Sequence, residues 1–167
     1  MSTLPSIDAA REALRAHVLQ HSLKTGDFTL KSGRTSKWFL DTKQTACRAD
    51  GILLVADVAL SLLPNEITAI GGLTMGADPV AYGIAAVAAT RGRQLRSFSV
   101  RKEAKDHGVT GRIAGALQPG DKVAIVEDTV TRGLSIFEAV DAVRAFGAIP
   151  QFITVIVDRG GTCAQMA

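Results

Sequence analysis

The sequence predicts an α/β protein built on a doubly wound parallel sheet, with a small N-terminal appendage on a single domain. Three observations predict this. Residues 122–126 and 152–157 are apolar runs without polar alternation, the mark of strands buried on both faces. Stretches of helical periodicity lie at 78–89 and 134–146, and strands that alternate with helices imply a parallel sheet covered on both sides. The chain has 167 residues, 47% hydrophobic and 21% charged, which is enough for one core and too short for two ordinary ones.

Each element has its own warrant. Residues 6–23 form an amphipathic helix, because Ile7, Ala10, Leu14 and Val18 recur at helical spacing and Ser6 suits an N-cap. Phe28 to Leu30 and Trp38 to Leu40 flank Lys31-Ser-Gly33-Arg34, two short strands joined by a turn. Residues 49–63 form a second helix, stopped by Pro64. Residues 67–70 run into a glycine-rich loop at 71–77, and a helix follows over 78–89. Strands are expected at 95–100, 122–126 and 152–157, with a helix over 134–146 closed by Gly147. The α/β core therefore spans 48–158, and residues 1–47 form a helix-and-hairpin hood within the one domain. A further helix is expected to begin after Gly161.

Composition narrows the class. The formal net charge is +3, far from a nucleic-acid-binding arm, so no nucleic-acid partner is expected. The first residues carry acids and bases where a signal peptide needs an apolar stretch. The apolar runs at 51–63 and 81–89 are too short or too broken to span a bilayer, so no membrane partner is expected either. Cys47 and Cys163 lack a CxxC pattern and read as reduced thiols in a cytoplasmic protein. His17 and His21 lie four apart on the first helix, but without a third ligand they predict no zinc site.

In doubly wound sheets ligands bind beyond the carboxyl ends of the strands. The loops expected there are 71–77, 101–112, 127–135 and 158–161. The strongest constellation is the apolar strand ending in Glu127-Asp128-Thr129-Val130-Thr131-Arg132-Gly133-Leu134-Ser135. Backbone N–H groups of such a loop, with a helix N-terminus behind it, make an anion seat. Gly133 permits close backbone approach, and the Thr131 and Ser135 hydroxyls add donors. Two carboxylates would repel a phosphate but suit hydroxyl groups or a metal beside it. A ribose 5-phosphate combines both features. As mere helix caps, the two acids would not need two threonines, a glycine and a serine around them. No Walker A loop and no GxGxxG occurs. Arg101, Lys102, Lys105 and His107 add up to four cations in seven residues, with Gly108 and Gly111 as hinges. Mobile cations that close over a leaving diphosphate would stabilise its charge.

The segment 123–135 resembles the phosphoribosyl-diphosphate motif of type I phosphoribosyltransferases: apolar strand, two acids, two variable residues, Thr, a small residue, Gly. Arg101-Lys-Glu-Ala-Lys105-Asp-His107-Gly resembles the mobile catalytic loop of the orotate phosphoribosyltransferases. Residues 28–36 resemble their N-terminal substrate segment, and Val157-Asp158-Arg159 their base-contacting strand end. The four motifs stand in the expected order along nearly the whole chain.

The resemblance implies the type I phosphoribosyltransferase fold, a Rossmann-like sheet with an N-terminal hood. It also implies transfer of a phosphoribosyl group from phosphoribosyl diphosphate to orotate, giving orotidine 5′-phosphate and diphosphate in pyrimidine synthesis. It assigns Arg101, Lys102, Lys105, His107 and the run Glu127, Asp128, Thr129, Val130, Thr131, Arg132, Gly133, Leu134 and Ser135 to phosphoribosyl diphosphate. Lys102, Lys105, His107 and Asp128 become the catalytic set, and Thr131, Arg159, Lys31 and Phe39 the orotate site. Mg²⁺ would enter with the substrate, within reach of Glu127 and Asp128. A homodimer with shared active sites is implied as well. Three departures stand out: Glu127 where Asp is usual, Arg132 where a small residue is commoner, and a chain that stops at Ala167 where a family member is expected to run further; some relatives also carry a lysine within 71–77 that is absent here. The alternative reading is a non-catalytic regulator that senses phosphoribosyl diphosphate, and the intact 101–107 loop argues against it.

Overall fold

The computed structural model describes residues 6–29, 33, 35–105 and 111–161. Lys31, Arg34, His107 and Cys163 lie outside the described residues, as does the side chain of Lys105.

The hood begins with α1 (Ile7–His21), capped by the Ser6 hydroxyl, which accepts from the Ala9 N–H at 3.3 Å. Its inward face buries Ala10, His17 and Val18. Strands β1 (Leu23–Thr29) and β2 (Thr35–Leu40) pair antiparallel, with Leu23 opposite Leu40. A single turn, α2 (Lys43–Ala46), leads into α3 (Ala49–Leu62). The sequence analysis missed α2 because four residues of mixed polarity carry no periodicity.

The core follows as β3 (Ala69–Leu73), α4 (Ala77–Thr90), β4 (Arg96–Lys105), β5 (Gly111–Gly115), β6 (Lys122–Val130), α5 (Leu134–Phe146) and β7 (Ile149–Asp158). The sheet order is β5-β4-β3-β6-β7. β3 is parallel to β4 and β6, and β6 is parallel to β7. β5 runs antiparallel at the edge. Strand β6 displays the two-layer logic. Val123 and Ile125 join one core cluster with Phe98, Ile136 and Val143, on the α5 side. Ala124 and Val126 join the other, with Val55, Val80 and Ile84 of α3 and α4. Successive side chains of a strand point to opposite faces, so a strand covered on both faces must be apolar throughout. Each fully buried Val or Ile contributes about 1.5–3 kcal/mol.

Two expectations need correction. Within the basic segment at 101–112, the described residues at both ends are strand. β4 continues through Arg101 and Lys102 to Lys105, and β5 returns beside it, with Lys105 opposite Gly111. The sequence hides β5 because Ile113 is the one large apolar residue in Gly-Arg-Ile-Ala-Gly. Gly71 and Gly72 likewise belong to the central strand rather than to a loop. A Cβ on Gly71 would lie 2.3 Å from the Phe98 carbonyl oxygen, and one on Gly72 2.1 Å from that of Val126. These glycines serve close packing.

Asp121 pins the opposite end of the sheet. It is buried and accepts from the Thr68 hydroxyl at 2.9 Å, the Gln118 N–H at 2.8 Å and Arg96 Nε at 3.1 Å. Burial pushes its carboxyl up, but the Arg96 guanidinium and the other donors outweigh this and hold it below the usual range. Asp121→Asn should therefore cost about 1–3 kcal/mol at pH 7, measured by urea unfolding. A depressed carboxyl stabilises only above its unfolded-state pKa. The gap between wild type and variant should therefore close as pH falls through the carboxylate range.

Candidate active site

The acid pair sits at the carboxyl end of β6, as the fold rule requires. Strand β6 runs on through Val130, so Glu127 to Val130 are strand residues and the turn proper is 131–133. Glu127 and Asp128 are both buried. The Asp128 N–H donates to Glu127 Oε1 at 3.1 Å, and the Thr129 N–H to Asp128 Oδ1 at 2.8 Å. Gly133 closes the turn with φ +73°, a left-handed conformation that favours glycine, and α5 starts at Leu134. The first N–H groups of α5 have no intrahelical acceptor and carry the positive end of the helix dipole. An anion seat thus lies directly after a pair of acids.

The hood supplies what the sequence analysis missed. Lys43 Nζ donates to Asp128 Oδ2 at 2.8 Å, and the Thr42 hydroxyl donates to the same oxygen at 3.0 Å. Thr42 also hydrogen-bonds the Thr129 hydroxyl at 2.8 Å. The available signal was the polar run Asp41-Thr42-Lys43 directly after a strand. Burial pushes the Asp128 carboxyl up, but the Lys43 ammonium and Thr42 outweigh this and hold it below the usual range. Hydrogen bonding to Asp128 raises Lys43 in turn. Glu127 goes the other way, to about 7, first because it is desolvated and then because Asp128 is charged beside it; the Ser135 hydroxyl opposes the shift. The pair is therefore split: Asp128 is the more strongly ionised member and Glu127 the more readily protonated one.

The β3–α4 turn faces these acids. The Thr74 hydroxyl donates to Asp78 Oδ2 at 2.6 Å, and Ser99 donates to Asp78 Oδ1 at 2.5 Å. The Thr74 N–H donates to the Val100 carbonyl at 2.9 Å. These bonds fix the turn so that a Cβ on Gly76 would lie 2.4 Å from Glu127 Oε1 and 2.7 Å from Asp128 Oδ1. Only glycine leaves the acid oxygens that opening. Two hard carboxylate oxygens beside a phosphate seat are a donor set that fits Mg²⁺ carried in on a phosphorylated ligand.

The other expected site residues divide. Thr131, Arg132 and Leu134 are exposed around the turn. The Val130 side chain lies in the hydrophobic core, and its carbonyl accepts from the Arg159 N–H at 2.9 Å, so its side chain does not face the turn. Val130 was expected among the ligand residues. It faces inward because its strand alternation continues past the acids. The Thr129 and Ser135 hydroxyls are engaged by Thr42 and Glu127.

That Arg159 backbone bond places the strand end of β7 beside the turn. Its guanidinium stacks over Trp38, 4.6 Å from the ring centroid. Trp38 also escaped the sequence analysis. Phe39 is part-exposed on β2, with its ring 5.7 Å from that of Phe28. Arg101 and Lys102 stand on the β4–β5 arm, where the Arg101 carbonyl accepts from Arg112 Nε at 2.8 Å. Arg159 and Trp38 also line a cavity of about 500 Å³ with Leu14, Val18, Val58 and Val155; this apolar space lies under the hood, away from the acids.

No family model matches the chain. It is 38% identical over 154 residues to the orotate phosphoribosyltransferase of Nostoc sp. (strain PCC 7120), covering 92% of this chain and 75% of that one. The solved orotate phosphoribosyltransferase of Mycobacterium tuberculosis H37Rv is 34% identical, with a TM-score of 0.82 over 93% of this chain and 89% of that one. A second structure of that enzyme, in complex with 5-phospho-α-D-ribosyl 1-diphosphate, is 29% identical, with a TM-score of 0.76 over 93% of this chain and 88% of that one. Among the described residues no helix is long and apolar enough to cross a membrane. With 38–40% identity to such relatives over most of its length, the chain belongs to the orotate phosphoribosyltransferase family.

Proposed function

We propose that this chain transfers the 5-phosphoribosyl group of phosphoribosyl diphosphate to orotate, releasing diphosphate and forming orotidine 5′-phosphate. The observation that carries the reading is the buried Glu127–Asp128 pair set between the Gly133 turn and Gly76. In the reaction the bond from ribose C1 to diphosphate breaks as the bond to orotate N1 forms, and the N1 proton is released to solvent or to the leaving diphosphate. The turn at 131–133 and the α5 N-terminus hold the 5-phosphate. Asp128, kept ionised by Lys43, orients the ribose hydroxyls and offsets positive charge developing on the ring. Glu127 and Asp128 are the residues that would hold a Mg²⁺ ion carried in on the substrate, which would supply positive charge to the leaving diphosphate. Lys102, Lys105 and His107 are the cations that meet the charge of that leaving group, with Arg101 in support.

The arm serves the neighbouring subunit of a homodimer in this reading. Its strand pairing supports a stiff base for such a reach. On the base side, Arg159 takes the carboxylate that distinguishes orotate from uracil, because a guanidinium can grip it through two bonds. Thr131, Lys31 and Phe39 complete the pocket. The cytoplasm suits this chemistry.

An absorbance assay with orotate, phosphoribosyl diphosphate and Mg²⁺ tests the function, with uracil, adenine and hypoxanthine as controls. Turnover of orotate alone is expected; a chain that binds phosphoribosyl diphosphate but converts no base would be a sensor instead. Arg159→Ala should raise the orotate KM roughly ten- to a hundredfold, since a charged hydrogen bond is worth about 1.5–3 kcal/mol. Phosphoribosyl-diphosphate affinity should hardly change. The reverse pattern would move Arg159 to the phosphate site.

A further inference from the structure

We infer that His17, His21 and Asp50 form a binding site for a divalent transition-metal ion of the zinc class, where α1 meets α3. The two histidines lie one helical turn apart on the same face of α1. Sequence alone offered only those two ligands. The fold adds Asp50 from the first turn of α3, and one ligand atom from each of the three side chains lies within 4.8 Å of the others.

The geometry around His17 is that of a prepared ligand. The side chain is 8% exposed, and its Nε2 is buried with no hydrogen-bond partner. Its Nδ1 stands 3.2 Å from the Thr45 hydroxyl, which is itself tied to the Ser22 hydroxyl at 2.7 Å. With Nδ1 donating to Thr45, Nε2 presents a lone pair. That lone pair faces Asp50 Oδ1 at 3.4 Å, an arrangement that repels unless a cation or proton lies between. Two atoms each about 2.0–2.1 Å from a tetrahedral ion are about 3.3–3.4 Å apart, so the spacing is that of two zinc ligands.

The ring is also held in place. A Cβ on Gly51 would lie 2.8 Å from His17 Cε1 and 2.2 Å from the Thr45 carbonyl oxygen. A ring whose second nitrogen is held by an outer partner, as Thr45 holds Nδ1, is the usual support of a metal-bound histidine. The rings of His17 and His21 are 4.4 Å apart, so a small rotation of the more exposed His21 completes the set. The Arg48 guanidinium, 3.5 Å from the same Asp50 oxygen, competes with the ion for that charge. Two imidazoles and one carboxylate select Zn²⁺, Co²⁺ or Ni²⁺ over Mg²⁺ or Ca²⁺, with water at the open position. The site does not rest on the reading of the acid pair. α2 lies between the two, with Thr45 touching His17 and Lys43 touching Asp128.

The test is a Co²⁺ titration of tag-free, chelator-treated full-length chain, followed by visible absorption and by competition with Zn²⁺. One Co²⁺ per chain is expected, with the intense visible band of a four-coordinate ion, displaced by Zn²⁺. His21→Ala and Asp50→Asn should each weaken binding roughly tenfold or more, with the fold checked by circular dichroism. Uptake below one ion per chain, a weak six-coordinate spectrum, or unchanged affinity in a folded variant would overturn the site. Should Asp50→Asn fail to fold, the more exposed His21→Ala decides alone. The readout is the metal spectrum, so a histidine that merely pairs with Asp50 fails it.

Discussion

Asp128→Asn should lower kcat for orotate turnover roughly a hundred- to a thousandfold while leaving the chain folded. The magnitude is that of losing one preorganised charged group in a desolvated site. Asp128 is the more strongly ionised member of the acid pair, because Lys43 and Thr42 hold its carboxyl down while burial and its neighbour's charge push Glu127 up. The amide keeps the shape and keeps an oxygen for Thr42 but loses the charge. Circular dichroism should match wild type, because Lys43 is part-exposed and regains water when its partner is neutralised. A variant with unchanged kcat would remove Asp128 from the reaction. One that fails to fold would make the pair with Lys43 a structural bond between hood and core.

Gly133→Val should weaken phosphoribosyl-diphosphate binding by at least tenfold in calorimetry, for two separable reasons. The residue sits at φ +73°, where a β-branched side chain is strained by roughly 1–3 kcal/mol. Its Cβ and methyl groups would also stand where a phosphate must approach the backbone of the turn and the first N–H groups of α5. Gly133→Ala separates the two effects, since it carries most of the backbone strain with much less bulk. The valine variant should bind more weakly than the alanine variant, although both should lose thermal stability. Equal affinity for wild type and Gly133→Val would place the phosphate elsewhere.

Much of the architecture was legible because it depends on local pattern. The periodicity at 78–89 and 134–146 marked α4 and α5, and the apolar runs marked β6 and β7. Each of those segments packs against the same layers along its whole length, so its own period records its surroundings. The strand ends were less legible. β6 was expected to stop at Val126, because Glu127 and Asp128 look like loop residues, yet the strand carries both acids into a desolvated site. A polar pair inside a strand breaks the apolar rule, and a ligand site is where such a break is tolerated. β5 went unseen because its five residues gain strand character only by pairing with β4.

What the sequence by itself determined is the order of the elements, the acid pair followed by a glycine turn and a helix start, and hence the kind of ligand the chain suits. These are properties of neighbours along the chain, set by strand and helix periods and by the backbone freedom of glycine. Only the tertiary structure decided which distant groups complete the site. Lys43 reaches Asp128 across 85 positions of sequence, Trp38 lies under Arg159, and Asp50 joins His17. The physical reason is that charge and hydrogen-bonding groups act over a few ångströms of space, whatever their separation along the chain. Those few ångströms are fixed by how α1, α2 and the hairpin pack on the sheet. The protonation of the acid pair is likewise a tertiary property. Two adjacent carboxyls of similar intrinsic acidity separate only when one is given Lys43 and the other is left desolvated beside Ser135.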